Sequence, residues 1–139
     1  MNAIPADFEP HFRKSPLTDP WEPLYSRRRE STVDLFFEVR AAHCNSRGFL
    51  HGGVLAALCD NVMGLSLGAA LNKAKFNIVT INLTLDYLGS AKIGDAVLVM
   101  PNVLRAGSSI GFCDARVLRA DDCIARANAV FSVRVVESP

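Results

Sequence analysis

The chain has 139 residues, enough to bury one core but too few for a second, cofactor-binding domain. Half of the residues are hydrophobic and 21% are charged, which excludes a disordered chain and leaves apolar surface for self-association. Fifteen Lys and Arg against fourteen Asp and Glu give a formal net charge of +1, too weak a field for a nucleic-acid partner.

No charged-then-apolar leader marks the N-terminus for export. Residues 1–30 hold five of the seven prolines and read as an N-terminal arm. Its one expected element is a short helix at Thr18-Asp19-Pro20-Trp21-Glu22, where a capping residue is followed by an early proline. Trp21 and Leu24 are expected to pack the arm onto the body, and Arg27-Arg28-Arg29 to be a solvated run, with a grip on phosphate as the lesser alternative. Residues 31–139 are expected to form a single domain. Val33, Leu35, Phe37 and Val39 alternate within Thr32–Arg40, the period of a strand with one buried face. A turn-rich loop from Ala42 to Gly53 leads into an apolar helix over Val54–Leu71, which needs cover on most of its sides. That segment carries Asp60 and Asn61 at its centre, so no membrane span is expected. Ile78–Leu88 alternates again, with Val79, Ile81, Leu83, Leu85 and Tyr87 assigned to one face. Asp95–Arg105, Ser109–Arg119 and Cys123–Val136 complete the strands. One helix among about five to six strands predicts an α+β domain whose curved, antiparallel sheet wraps the helix.

Asp60 is the most informative residue, because an unpaired carboxylate in an apolar helix costs several kcal/mol. Ala56, Gly64 and Gly68 lie on the same face and leave room beside it. Without other signals, a structural buried pair is the favoured account of such a carboxylate. Gly52 and Gly53 at the helix start offer unencumbered backbone N–H groups that can polarise a carbonyl. His51 and Asn45 add a proton donor and an amide in the same loop. His11, His43, His51 and the cysteines show no metal-ligand spacing, and there is no G-x-S-x-G elbow, so neither a metal nor a serine nucleophile is expected. Cys44, Cys59, Cys113 and Cys123 lack C-x-x-C spacing and read as reduced thiols of a cytoplasmic protein. Cys44 and Cys59 have no evident activating base.

The run from Asn45 through Gly48, His51, Gly52 and Gly53 to Asp60 resembles the N-x-x-G-x-x-H-G-G-x-x-x-x-x-x-D signature of the PaaI-like (phenylacetic-acid-degradation type) hotdog thioesterases. Thr80–Leu88 and Ala91–Asp95 are similar to that family's following strand and turn, and the resemblance spans about Val33 to Val136. It implies a hotdog fold and hydrolysis of an aryl- or medium-chain acyl-coenzyme A (CoA), with no cofactor. Asp60 would be the nucleophile or the general base, Gly52 N–H would polarise the thioester carbonyl, and Asn45 and His51 would position water, carbonyl or thiolate. Thr80 would help to orient the water. Gly53 and the basic residues Lys92, Arg105 and Arg119 are candidates for binding substrate and the CoA phosphates. The resemblance also implies a homodimer or homotetramer, with Asp60 facing the Asn45–Gly53 loop of another subunit.

Two further readings use the same residues. A hotdog protein can bind an acyl-CoA without cleaving it, and an enoyl-CoA hydratase or dehydratase needs an acid and a histidine such as Asp60 and His51. The acyl specificity depends on chamber residues that one sequence does not assign.

Overall fold

The structure, a computed structural model, describes residues 2–71 and 75–136; residues 137–139 of the expected domain lie outside that range. The alternating segments form strands, and the arm contributes two more. In chain order these are β1 (Glu9–Pro10), β2 (Tyr25–Arg29), β3 (Thr32–Glu38), β4 (Phe76–Tyr87), β5 (Ala96–Ala106), β6 (Ile110–Arg119) and β7 (Asp122–Val135). They make one seven-stranded sheet in the order β1-β2-β3-β5-β6-β7-β4, with every pairing antiparallel. The helix α1 (Gly52–Leu71) packs against β3, β5, β6, β7 and β4. Those five neighbouring strands span about 19 Å at the usual strand spacing, more than the width of one helix, so the sheet must curve around it. This is the expected α+β hotdog arrangement.

Leu55, Leu58, Cys59, Val62, Met63 and Leu67 recur every three or four residues and are buried on the sheet side of α1. Opposite them, Ala115, Ala125, Ala127 and Ala129 keep β6 and β7 low enough for the helix to settle, while Phe37 and Phe131 fill the flanks. Each large side chain so buried contributes roughly 1.5–3 kcal/mol. Gly111 on β6 marks the closest approach: a Cβ there would fall 2.5 Å from Leu67 Cδ2. The rest of the helix surface is only half-covered, which corrects the expectation of burial on most sides. Asp60, Gly64 and Gly68 lie on that open flank.

The sheet has seven strands against the five to six expected, because β1 and β2 come from the arm. Ser26-Arg27-Arg28-Arg29 shows no apolar period, so β2 is invisible to a pattern search; its backbone pairs with β3, setting Arg27 opposite Asp34. Arg27 and Arg29 are therefore not a solvated run. Asp34 is fully buried and accepts from Arg27 Nε (3.1 Å) and Nη2 (2.6 Å) and from Arg29 Nε (2.6 Å) and Nη2 (2.8 Å). Phe8 covers Phe36 at 5.8 Å between ring centroids, so β3 is buried on both faces, not one. Leu24 is buried and Trp21 packs on the core, as expected. The short helix is a 3-10 turn over Asp19–Trp21, and Thr18 turns its hydroxyl to Ser15 instead of capping it.

Candidate active site

The loop before α1 is built by its own side chains. Asn45 Oδ1 accepts from the N–H groups of Arg47 (2.9 Å) and Phe49 (3.2 Å), folding the chain into a turn in which Gly48 has φ +83°. Only glycine takes that conformation without strain, which accounts for the N-x-x-G part of the motif. Asn45 Nδ2 is left to donate outward. His51 Nδ1 accepts from Gly53 N–H at 2.8 Å, so in the neutral ring the proton sits on Nε2 and points away from the loop. Gly52 O accepts from the Tyr87 hydroxyl at 2.6 Å. The Gly52–Gly53 peptide is thus held at both ends. A Cβ on Gly52 would lie 3.1 Å from Tyr87 Cζ, and one on Gly53 would lie 3.0 Å from the His51 ring, so a side chain at either position would press on a close neighbour.

The expectation of two free glycine N–H groups is corrected by this geometry. Gly53 N–H is engaged by His51, whereas Gly52 N–H finds no partner among the described residues. It sits at the first position of α1, where the helix dipole adds a partial positive charge.

Asp60 lies two turns into the helix. It is half-buried, not enclosed, and its Oδ1 accepts from Thr80 Oγ1 at 2.6 Å. That bond exists because β4 carries a bulge between Thr80 and Asn82. Before the bulge Phe76, Ile78 and Thr80 face the helix; after it Leu83 and Leu85 do, and Val79 and Ile81 are turned outward at 62% and 59% exposure. The uniform alternation expected for this strand is broken there, and the break aims Thr80 at Asp60.

Asp60 and Thr80 open onto a cavity of about 620 Å³ that runs past Gly64 and Gly68 to Phe76 and Ile78. A Cβ on Gly64 or Gly68 would meet ordinary contacts at 3.6 Å, so glycine at these positions gives the cavity width and is not forced by packing. Asn45 and Gly52 line a different cavity, of about 370 Å³, with Arg47, Tyr87, Ser90 and Ala91. Eight helical residues separate Gly52 from Asp60, about 12 Å along the axis. Within one chain they cannot act on the same carbonyl, which needs both within about 3 Å. The structure thus brings Asp60 to Thr80, and Asn45 and His51 to the helix start, but keeps the two groups apart.

The basic candidates do not converge either. Lys92 is in the turn beside the smaller cavity, its N–H bonded to Asp95 at 2.9 Å and its backbone bridged to Phe49. Arg105 is near the far end of β5, about 30 Å along that strand from its start. Arg119 bonds Ser90 O and pairs with Asp122 at 3.2 Å. Sequence reasoning missed Arg47 and Tyr87, which no period or motif distinguishes, and it missed Phe12, Arg13 and Arg28, which the arm brings to the larger cavity.

The thiols offer no competing nucleophile. Cys59 is buried against the sheet, and burial together with the neighbouring Asp60 charge pushes its thiol up to about 12. Burial also raises the Cys44 thiol, which donates to Arg40 O at 3.3 Å. His43 is buried, accepts from Arg40 N–H and donates to Trp21 O, each at 2.9 Å; burial holds it below the usual histidine range. It fastens the arm to the loop. Among the described residues no three His, Cys, Asp or Glu side chains gather as a metal ion requires.

A model of the thioesterase superfamily matches residues 47–124, the segment that holds the loop, α1, β4, β5 and β6. The chain is also 34% identical over 134 residues to PA0474 of Pseudomonas aeruginosa, a candidate esterase, covering 94% of this chain and 98% of that one. The chain belongs to the thioesterase superfamily. Its enzymatic class is accordingly that of a thioester hydrolase. Human acyl-coenzyme A thioesterase 13 is 33% identical over 75 residues, 54% of this chain and 52% of that one. Among solved structures, the Streptococcus mutans protein smu.793, bound to acetyl CoA, superposes with a TM-score of 0.70 at 27% identity, covering 78% of this chain and 86% of that one. A variant of the phenylacetic acid degradation protein PaaI from Thermus thermophilus shares the fold, with a TM-score of 0.74 at 19% identity over 85% of this chain and 98% of its own.

Proposed function

We propose that this thioesterase hydrolyses an acyl-CoA, aryl or medium-chain, at a site built by two copies of the chain. The observation that carries this reading is the separation of the two halves. Asp60 with Thr80 and Gly52 with Asn45 and His51 are each well formed, yet they lie about 12 Å apart on one helix and line different cavities. A second copy supplies the missing half to each. The edge strand β4 supports this assembly: it is twelve residues long, has no strand on one side among the described residues, and bears the outward side chains Val79 and Ile81. Strands of this kind pair readily with a second copy.

In this site Gly52 N–H of one chain meets the thioester oxygen as it gains charge, aided by the helix dipole; a donor so placed is worth roughly 2.7–4 kcal/mol. In the other chain, Thr80 holds Oδ1 of its own Asp60, leaving Oδ2 to take a proton from water as the water oxygen bonds the acyl carbon. The carbon–sulfur bond then breaks and the CoA thiolate leaves. His51 Nε2–H and Asn45 Nδ2 supply donors to the carbonyl oxygen and the departing sulfur, and the proton on Asp60 returns to the products. Asp60 acts here as general base. Arg47 and Lys92, beside the smaller cavity, are placed to meet the CoA phosphates. Four unpaired thiols agree with a cytoplasmic setting.

The test is release of free thiol from a panel of aryl and fatty acyl-CoA esters by the intact protein and by a folded Asp60→Ala variant. Turnover that vanishes in the variant supports the reading. Binding of the esters without thiol release would replace it with a non-catalytic acyl-CoA binder, and activity surviving in Asp60→Ala would overturn the role of Asp60.

A further inference from the structure

The larger cavity is more cationic than an acyl-chain pocket needs to be, and the arm is the reason. In β2, Arg27 and Arg29 lie on the outer face of the sheet, where Asp34 satisfies them. Arg28 is paired in register with Val33, whose side chain is buried in the core cluster, so Arg28 projects to the helix side of the sheet and into the cavity. There its guanidinium lies 4.3 Å above the ring of Phe12, and Arg13 lines the same wall. Neither arginine has a carboxylate partner among the described residues, whereas Arg27, Arg29, Arg119 and Arg126 each have one.

A third donor is set by a buried histidine. His11 is fully buried and its Nε2 bonds Asn61 Oδ1 at 3.0 Å. With His11 on its oxygen, Asn61, which lines the cavity, keeps its amide Nδ2 available to donate. Asp60 is the only carboxylate lining this cavity among the described residues, and its Oδ1 is already held by Thr80. Away from Asp60, then, the wall offers two guanidinium forks and an amide N–H₂. Such a set matches a carboxylate, which accepts parallel bonds from a planar fork. A bare hydrocarbon or unsubstituted aryl chain would make no bond to these donors and would leave them to water.

On the reading that the cavity beside Asp60 holds the acyl group, we propose that the acyl group itself carries a carboxylate, bound by Arg28 and Arg13 with Asn61 oriented by His11. The preferred substrate class is a dicarboxylic acid joined to CoA through one end.

The experiment compares matched pairs of esters of equal length: succinyl- with butanoyl-CoA, glutaryl- with pentanoyl-CoA, and adipoyl- with hexanoyl-CoA. The intact protein is expected to show kcat/KM at least about tenfold higher for the carboxylated member of one pair. Arg28→Gln is expected to abolish that preference, lowering kcat/KM for the carboxylated ester about tenfold more than for its uncharged match, and Arg28→Lys to restore part of it. Arg28 is exposed, so these variants should melt like the intact protein. Equal rates for both members of every pair overturn the proposal. An Arg28→Gln variant that weakens both esters alike also overturns it, since the arginine would then be meeting the CoA phosphates common to both. If the intact protein releases thiol from neither ester, it is the hydrolase reading that fails. Calorimetric binding of the same pairs then decides the carboxylate preference: tighter binding of the carboxylated member upholds it, and equal binding refutes it.

Discussion

Replacing Asp34 with Asn tests how the arm is held over the cavity beside Asp60. The carboxylate is fully buried and receives four charge-assisted hydrogen bonds from Arg27 and Arg29, while Arg27 also reaches Asp7 at 3.0 Å. Asparagine keeps the shape but sets an N–H₂ donor against guanidinium donors and removes the charge that both arginines neutralise. Breaking one side of a buried pair costs about 3–5 kcal/mol. The Arg27 and Arg29 side chains are 22% and 38% exposed and recover some hydration, so the low end, about 3 kcal/mol, applies. For a chain of this length that loss corresponds to a fall of about 10 °C in the unfolding midpoint. Urea titration at constant slope and thermal melting both measure it. A loss below about 1 kcal/mol, the worth of an exposed ion pair, would show that β2 is not held by this cluster and would refute the reasoning.

Three further outcomes follow from particular contacts. Tyr87→Phe removes the 2.6 Å bond to Gly52 O without altering the ring that packs on Gly52; a net hydrogen bond of about 0.5–1.5 kcal/mol predicts a two- to twelvefold fall in kcat with KM little changed, and a KM effect alone would place Tyr87 in substrate binding instead. Mixing inactive Asp60→Ala with inactive Asn45→Ala under subunit exchange should recover about a quarter of the intact activity, because half of the dimers are mixed and each then has one undamaged site; no recovery from an exchanged mixture would mean that both residues act within one chain. Burial holds both His11 and His43 below the usual histidine range, so between about pH 7 and 5 the unfolded chain binds protons that the folded one refuses. Stability should therefore be level above about pH 7 and fall as the pH drops through the unfolded value near 6.5, read from the urea midpoint; a midpoint that rises on acidification would contradict the burial of these rings.

What the sequence determined by itself follows from short-range physics. The two-residue period of β3, the apolar run of α1 and the spacing of Asn45, Gly48, His51, Gly52, Gly53 and Asp60 all express constraints between residues close along the chain, and the structure forms the strand, the helix and the loop where those constraints place them. Gly48 and Gly53 are locally legible too, one for its turn and one for the adjacent His51 ring, whereas Gly52 makes room for Tyr87, thirty-five residues on. Tertiary structure alone decided the rest. β2 is charged and has no period, and it becomes a strand only because Asp34, seven residues beyond Arg27, is buried opposite it. The bulge in β4 depends on its register with β7, and it sends Thr80 to Asp60 while sending Val79 and Ile81 outward. Arg28, Arg13 and Phe12 reach the cavity because the arm folds back across the helix flank through the His11–Asn61 contact, fifty residues apart in sequence. Such pairings are set by which surfaces meet when the sheet closes around α1, and no period within either segment encodes them.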